Sequence, residues 1–174
     1  MATVQLSDVL AVTAALEEAG ARFWVAGGWG VDALVGRVTR PHRDLDLAVA
    51  AGDLDRAVQR LAALGYRPET DWLPVRLELA APGGRWVDLH PVVFDGHGDG
   101  IQAGGDGATF AYPAADLVTG VLGGSVLPCL SAARQQAFHR GYPPRPQDLH
   151  DLALLAGLEA SRGGKGGPAD RHDR

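Results

Sequence analysis

The chain has 174 residues, of which 46% are hydrophobic and 21% charged, and a single domain of that size buries about two-thirds of its unfolded surface without staples. Its formal net charge of −5 argues against nucleic acid as the main partner, because phosphate backbones are met by a basic face, and suits a cationic small molecule better. One cysteine, Cys129, excludes an intramolecular disulfide, and no apolar run approaches the roughly eighteen residues of a membrane span. The opening Met-Ala-Thr-Val-Gln-Leu lacks the basic and long apolar regions of a signal peptide, so a cytoplasmic location is expected.

In chain order, Ser7 followed by the apolar stripe of residues 8–19 and by Gly20 predicts a capped helix. Arg22 to Ala26 predicts a short strand that runs into Gly27-Gly28, where a backbone without Cβ can turn sharply and approach a ligand. Trp29 to Leu34 predicts a short helix ending at Gly36, whose free N-terminal amides suit a phosphate. A strand follows at Asp44 to Val49, then an amphipathic helix over Asp53 to Leu64 closed by Gly65. Pro74 to Ala80 and Arg85 to Phe94 read as a hairpin around Pro82-Gly83-Gly84.

Residues 95–107 carry so many glycines that they read as a mobile loop beside the site. Short β pieces are expected over Thr109 to Tyr112 and Leu117 to Leu127, then a helix capped by Ser131 and running to about Arg140. A last amphipathic helix starts at Pro146, with Leu149, Leu152, Leu155 and Leu158 expected inward. Residues 1–160 are thus expected to form one domain, with a core over about 5–94 and a C-terminal β and helical part over about 108–160. From Ser161 onward there is no apolar face, and 161–174 reads as a disordered tail.

The chemistry concentrates in one segment. Asp44 and Asp46 alternate with Leu45 and Leu47, so on a strand of period two both carboxylates leave one face while the leucines enter the other. Two carboxylates on one face repel and need a cation, and such oxygens select a hard ion such as Mg²⁺. A third acid, Asp88, alternates with Val87 and Leu89 and shares a face with His90. If its strand lies beside the first, three acids converge and can hold metal and activate a hydroxyl together. Cys129, within Val-Leu-Pro-Cys-Leu, reads as a small buried hydrophobe.

The pattern Gly27-Gly28, short helix, Asp44-Leu45-Asp46, later strand Asp88 resembles the DNA polymerase β-like nucleotidyltransferase superfamily. Ala26 to Leu34, Gly36-Arg37, Thr39-Arg40, His42, and the later Val87-Asp88-Leu89-His90-Pro91 and Asp148-Leu149-His150-Asp151 are similar to the small lincosamide and aminoglycoside 2″-nucleotidyltransferases. The resemblance implies an α+β nucleotidyltransferase fold, with a mixed or antiparallel sheet, flanking helices and C-terminal helices. It implies transfer of a nucleoside monophosphate, AMP being expected, from a nucleoside triphosphate to a hydroxyl of a small antibiotic, with pyrophosphate leaving. Asp44 and Asp46 would hold Mg²⁺, Asp88 would serve as general base or further metal ligand, and Gly27, Gly28, Arg40 and His42 would contact the triphosphate.

Gly28 stands where many members of the superfamily carry serine. Trp29 is weighed between the core and stacking on the nucleotide, Asp32 is expected to pair with Arg37 or Arg40, and Asp148, His150 and Asp151 are expected on an exposed helix start. Gln135 and His139 could face the nucleotide, or His139 and Arg140 could simply be C-terminal helix charges. Monomer and homodimer both remain open. Two other readings stand beside the leading one: a toxin-like enzyme acting on tRNA or protein, and a nucleotide-binding module without turnover.

Overall fold

A computed structural model describes residues 2–163. The expected tail over 161–174 lies outside the described residues from 164 onward, while residues 161–163 close the last helix. The chain forms α1 (Leu6–Glu18), β1 (Phe23–Ala26), α2 (Gly27–Val35), β2 (Leu45–Ala50), α3 (Leu54–Ala63), β3 (Arg67–Trp72), β4 (Arg76–Ala81) and β5 (Arg85–Phe94). It continues through β6 (Gly100–Ala103), β7 (Thr109–Tyr112), β8 (Leu117–Leu122), β9 (Ser125–Leu130), α4 (Ala132–Phe138) and α5 (Pro146–Gly163).

The main sheet runs β3-β4-β5-β2-β1-β9-β8, with β6 and β7 continuing from the far end of β5. It is mixed: β2 with β5 and β1 with β9 are parallel, and the other neighbours antiparallel. This is an α+β arrangement, a mixed sheet with flanking and C-terminal helices, as the resemblance implies.

Alternation along β2 sorts its side chains. Leu45, Leu47 and Val49 join Val25, Val87 and Leu89 on one face, beneath Val9, Val12 and Leu16 of α1 and Ala57 and Leu61 of α3. Burying a leucine of this kind stabilises the fold by about 1.5–3 kcal/mol, so the face that holds the leucines is energetically dictated. The acids are thereby forced onto the other face. There Ala26, Ala48, Val92, Tyr112 and Leu130 form a smaller apolar cluster beside them.

Several expectations are corrected. Helix α1 begins at Leu6, and its first turn is closed by the Asp8 carboxylate accepting from Gln5 N at 2.9 Å, so Ser7 is not the cap. Strand β3 has no sequence signature, because Arg-Pro-Glu-Thr-Asp-Trp lacks apolar alternation; it is an exposed edge with an irregularity between Pro68 and Thr70, where such polar residues are tolerated. The glycine-rich 95–107 segment is largely built, not a loose loop. Gly100 lies against Val92 and Phe94 where a Cβ would collide, so its lack of a side chain is what lets β6 pair with β5 and β7. Asp95 closes the intervening turn by accepting from His97 N and Asp99 N.

Helix α5 keeps Leu155 inward and Leu152 and Leu158 half-buried as expected, but its first turn departs from the expected face. Its inward residues are Asp148, Asp151 and Leu155, whereas Leu149 is 56% exposed. The two carboxylates turn inward because arginines await them: Asp151 accepts two bonds from Arg40, at 2.9 and 2.7 Å, and Asp148 accepts from Arg145 N and Nε. Two charge-assisted pairs outweigh one half-buried leucine.

Candidate active site

Register brings the acids together. Asp46 on β2 lies opposite Asp88 on β5, and Asp88 opposite Glu78 on β4, so three carboxylates form a row across the sheet; Asp44 precedes Asp46 on the same face. Two positions along β5 from Asp88, His90 Nε2 sits 3.1 Å from Asp46 Oδ1 and 3.8 Å from Asp88 Oδ2. Asp46, Asp88 and His90 each offer an atom within 4.8 Å of the others, a spacing that fits one metal ion.

The electrostatics ask for a cation. Burial, reinforced by the charge of Asp46, pushes the Asp44 carboxyl up to about 6 against the opposing Arg43. Burial likewise raises Asp88, with Asp46 adding to the shift while His90 and Arg76 oppose it. Burial would lower His90, but its hydrogen bond and charge contact with Asp46 and the charge of Asp88 outweigh that and leave it raised. Arg76 contacts Asp88 Oδ2 and stacks on Trp72, 4.4 Å from the ring centroid. Asp88 Oδ1 is buried with no partner. An acceptor oxygen left bare among other acids is the signature of a place for a divalent cation, and the residues present fit one.

The β1–α2 turn supplies the opposite wall. Gly27 has φ of +59°, and a Cβ there would run into the Asp46 carboxylate, so only glycine serves. A Cβ on Gly28 would strike His42 Nδ1 and the Arg40 guanidinium, which explains the missing serine: the space is filled by these two side chains. His42 is itself fixed, 3% exposed, with Nε2 2.6 Å from Asp32 Oδ2, while Thr39 donates to Asp32 Oδ1 at 2.5 Å. Asp32 therefore pairs with His42 and Thr39, not with Arg37 or Arg40. Arg40 is held by Asp151.

Two cavities meet at Gly27 and Asp46. A polar chamber of about 310 Å³ is lined by Gly27, Gly28, Asp44 and Asp46 on one side and by His139, Arg145 and Asp148 on the other. An aromatic recess of about 240 Å³ is lined by Ala26, His90, Gln102, Phe110, Tyr112 and Phe138. A larger cavity of about 420 Å³, beside the N-terminal segment and residues 38–41, contains no carboxylate and lies apart from the acids.

All seven expected site residues, Gly27, Gly28, Arg40, His42, Asp44, Asp46 and Asp88, thus fall in one region. Arg40 and His42 line the polar chamber but are already paired. Trp29 is core, 2% exposed, its ring 4.5 Å from that of His42. Gln135 is buried over Gly30, whereas His139 reaches the chamber. Asp148 and Asp151, expected on the surface, are 2% exposed chamber walls; Arg145, three residues before Asp148, was a local signal for the first, and nothing nearby in the sequence marked the second. Cys129 is buried in the core with its thiol pushed up to about 12 by burial, which removes it as a nucleophile. Gln102, Tyr112 and Arg76 had no motif to mark them.

A mixed sheet that sets a Gly-Gly turn against an Asp-x-Asp strand and a third strand aspartate defines a nucleotidyltransferase. The sequence model of the aminoglycoside-2″-adenylyltransferase family matches residues 8–155, and the chain belongs to that family. It is 32% identical over 136 residues to a lincosamide resistance protein of Staphylococcus haemolyticus, covering 78% of this chain and 84% of that protein. It is 39% identical over 64 residues to a 2″-aminoglycoside nucleotidyltransferase of Escherichia coli, covering 35% of this chain and 36% of that protein. Among solved structures, a lincosamide antibiotic adenylyltransferase with lincomycin bound superposes with a TM-score of 0.81 at 29% identity, over 90% of this chain and 99% of that one. No helix among the described residues is long and apolar enough to cross a membrane.

Proposed function

We propose that this enzyme transfers AMP from ATP, with Mg²⁺, to a hydroxyl of a small antibiotic of the lincosamide or aminoglycoside class. The observation that carries the reading is the junction of two unlike cavities at Gly27 and Asp46, one polar and one aromatic, with Asp88 next in register. The polar chamber suits a triphosphate. Backbone amides at the start of α2 line it, and Arg43 and Arg145 add positive charge to its rim, with His139 beside them.

Asp44 and Asp46 would hold the ion, with Asp88 within reach as a further ligand. Bound there, Mg²⁺ supplies charge that offsets the phosphoryl oxygens and the leaving pyrophosphate, an effect worth several kcal/mol in the transition state. Asp88 accepts the proton of the acceptor hydroxyl, whose oxygen bonds to the α-phosphorus as the α–β phosphoanhydride bond breaks and pyrophosphate departs. Its raised proton affinity suits that task. The recess of Phe110, Tyr112 and Phe138 offers apolar surface to the acceptor, which favours a partly apolar antibiotic over a purely polycationic one.

Incubation with ATP, Mg²⁺ and each member of a panel of lincosamides and aminoglycosides tests this by mass spectrometry. A product heavier by one adenylyl group, with stoichiometric pyrophosphate, is expected. No modified acceptor across both classes would overturn the proposed substrate, and labelled tRNA or protein in a lysate would redirect it.

A further inference from the structure

Beside the acids runs a chain of hydrogen bonds that reaches into the aromatic recess. Tyr112 OH donates to Gln102 Oε1 at 2.5 Å, Gln102 Nε2 lies 3.1 Å from the carbonyl oxygen of Val75 and 3.2 Å from His90 Nδ1, and His90 Nε2 lies 3.1 Å from Asp46 Oδ1. Gln102 is 6% exposed. The Val75 carbonyl can only accept, so the atom facing it must be the amide nitrogen; a flipped Gln102 would set oxygen against oxygen. With Nε2 fixed, its second hydrogen points at His90 Nδ1, which must then be the bare, accepting nitrogen. The ring proton is left on Nε2, facing Asp46.

We propose that Gln102 holds His90 in the Nε2–H tautomer, making His90 a donor that orients the Asp46 carboxylate and not a ligand of the metal, although its distances fit one. Asp46 Oδ1 is engaged by His90, while Oδ2 lies against Gly27, at the mouth of the polar chamber. One oxygen is committed to positioning and the other is left free to hold the ion. A nitrogen that carries a proton has no lone pair to give a metal. Tyr112 and Gln102 are positioning residues that act through His90, and Tyr112 also walls the aromatic recess, so the group that orients Asp46 borders the space where an acceptor would lie.

The proposal rests on the reading of Asp44, Asp46 and Asp88 as the metal site, but its first test does not. Long-range proton–nitrogen spectra of the intact ¹⁵N-labelled protein, recorded where the ring is neutral, are expected to show His90 protonated at Nε2 and bare at Nδ1. A proton on Nδ1 overturns the proposal whether or not the protein binds metal. The second test uses Mn²⁺ with a non-hydrolysable ATP analogue and reads the spin-echo modulation from directly bound nitrogen. No modulation that disappears in His90→Gln is expected; finding one overturns the donor role. If Mn²⁺ does not bind at all, the metal-site reading fails while the tautomer result stands. In turnover, Gln102→Leu is expected to lower kcat by about 10- to 100-fold with the KM for ATP little changed. An unchanged kcat overturns the positioning role.

Discussion

Gly27 shows how little freedom single positions have at this site. It adopts a left-handed φ and leaves room for the Asp46 carboxylate alone, so Gly27→Ala strains the backbone by about 1–2 kcal/mol and pushes aside the Asp46 oxygen that we propose holds the ion. A displacement of that order lowers turnover by about 100-fold, which steady-state kinetics at saturating ATP would read, with a thermal melt reporting the smaller loss of stability. Under the proposed metal site, Asp44→Asn and Asp46→Asn should each cost at least about 100-fold in kcat, since each removes charge that would meet the ion. Asp44 also sets a pH dependence. Its carboxyl titrates near 6 in the folded protein, above its ordinary value, so the protonated form stabilises the fold at low pH and that contribution is lost as pH rises through about 6. If Asp44 holds the ion as proposed, metal must displace the same proton, so apparent Mg²⁺ affinity should weaken by about tenfold for each pH unit below that point. Calorimetric titrations at two acidic pH values would check it, and Asp44→Asn should reduce the slope, leaving the part due to Asp88.

At the scale of elements, paired charges decide how helices are seated. Asp53 joins the start of β1 to the start of α3: it accepts from Arg22 N at 3.1 Å and Arg22 Nε at 2.9 Å, with Arg56 at 3.2 Å. The backbone hydrogen bond from Arg22, outweighing the opposing burial, holds its carboxyl below the ordinary range, with the Arg22 side chain adding to it. Stability from Asp53 is therefore present above the usual carboxylate range and lost as pH falls through its lowered folded value. Asp53→Ala should cost about 1.5–3 kcal/mol at neutral pH and flatten the acid limb of the stability curve, as urea titrations would show. Arg40 and Asp151 do the same for α5, tying it to the segment that precedes β2. A double-mutant cycle with Arg40→Met and Asp151→Asn should return a coupling of about 1–3 kcal/mol.

Taken whole, the molecule is a sheet with two unlike cavities sharing one wall. Phe138 lines the aromatic recess and packs against both Phe110 and Tyr112, at 5.9 and 5.3 Å between ring centroids, without lining the polar chamber. Phe138→Ala should therefore raise the KM for the antibiotic by about 10- to 100-fold while leaving the KM for ATP unchanged. Equal effects on both constants would show that the two cavities do not divide the substrates.

Part of this arrangement was legible in the residues alone. Alternation of Leu45 and Leu47 with Asp44 and Asp46 determined which side of β2 is buried and which carries charge, because burying leucine is favourable and burying two unpaired carboxylates is not. The same local rule placed Asp88 and His90 on one face of β5, and the turn at Gly27-Gly28 next to the acids. Only the tertiary structure decided the rest. Helix α5 buries Asp148 and Asp151 beside Leu155 while Leu149 faces solvent, and the inward place of Asp151 depends on Arg40, more than a hundred positions away in the chain. Gln102 and Tyr112 belong to the site because β6 and β7 fold back beside β5, a pairing made by backbone groups that sequence periodicity does not record. Short-range patterning could determine what each strand hides, but hydrogen bonds between distant segments settle which side chains share a cavity.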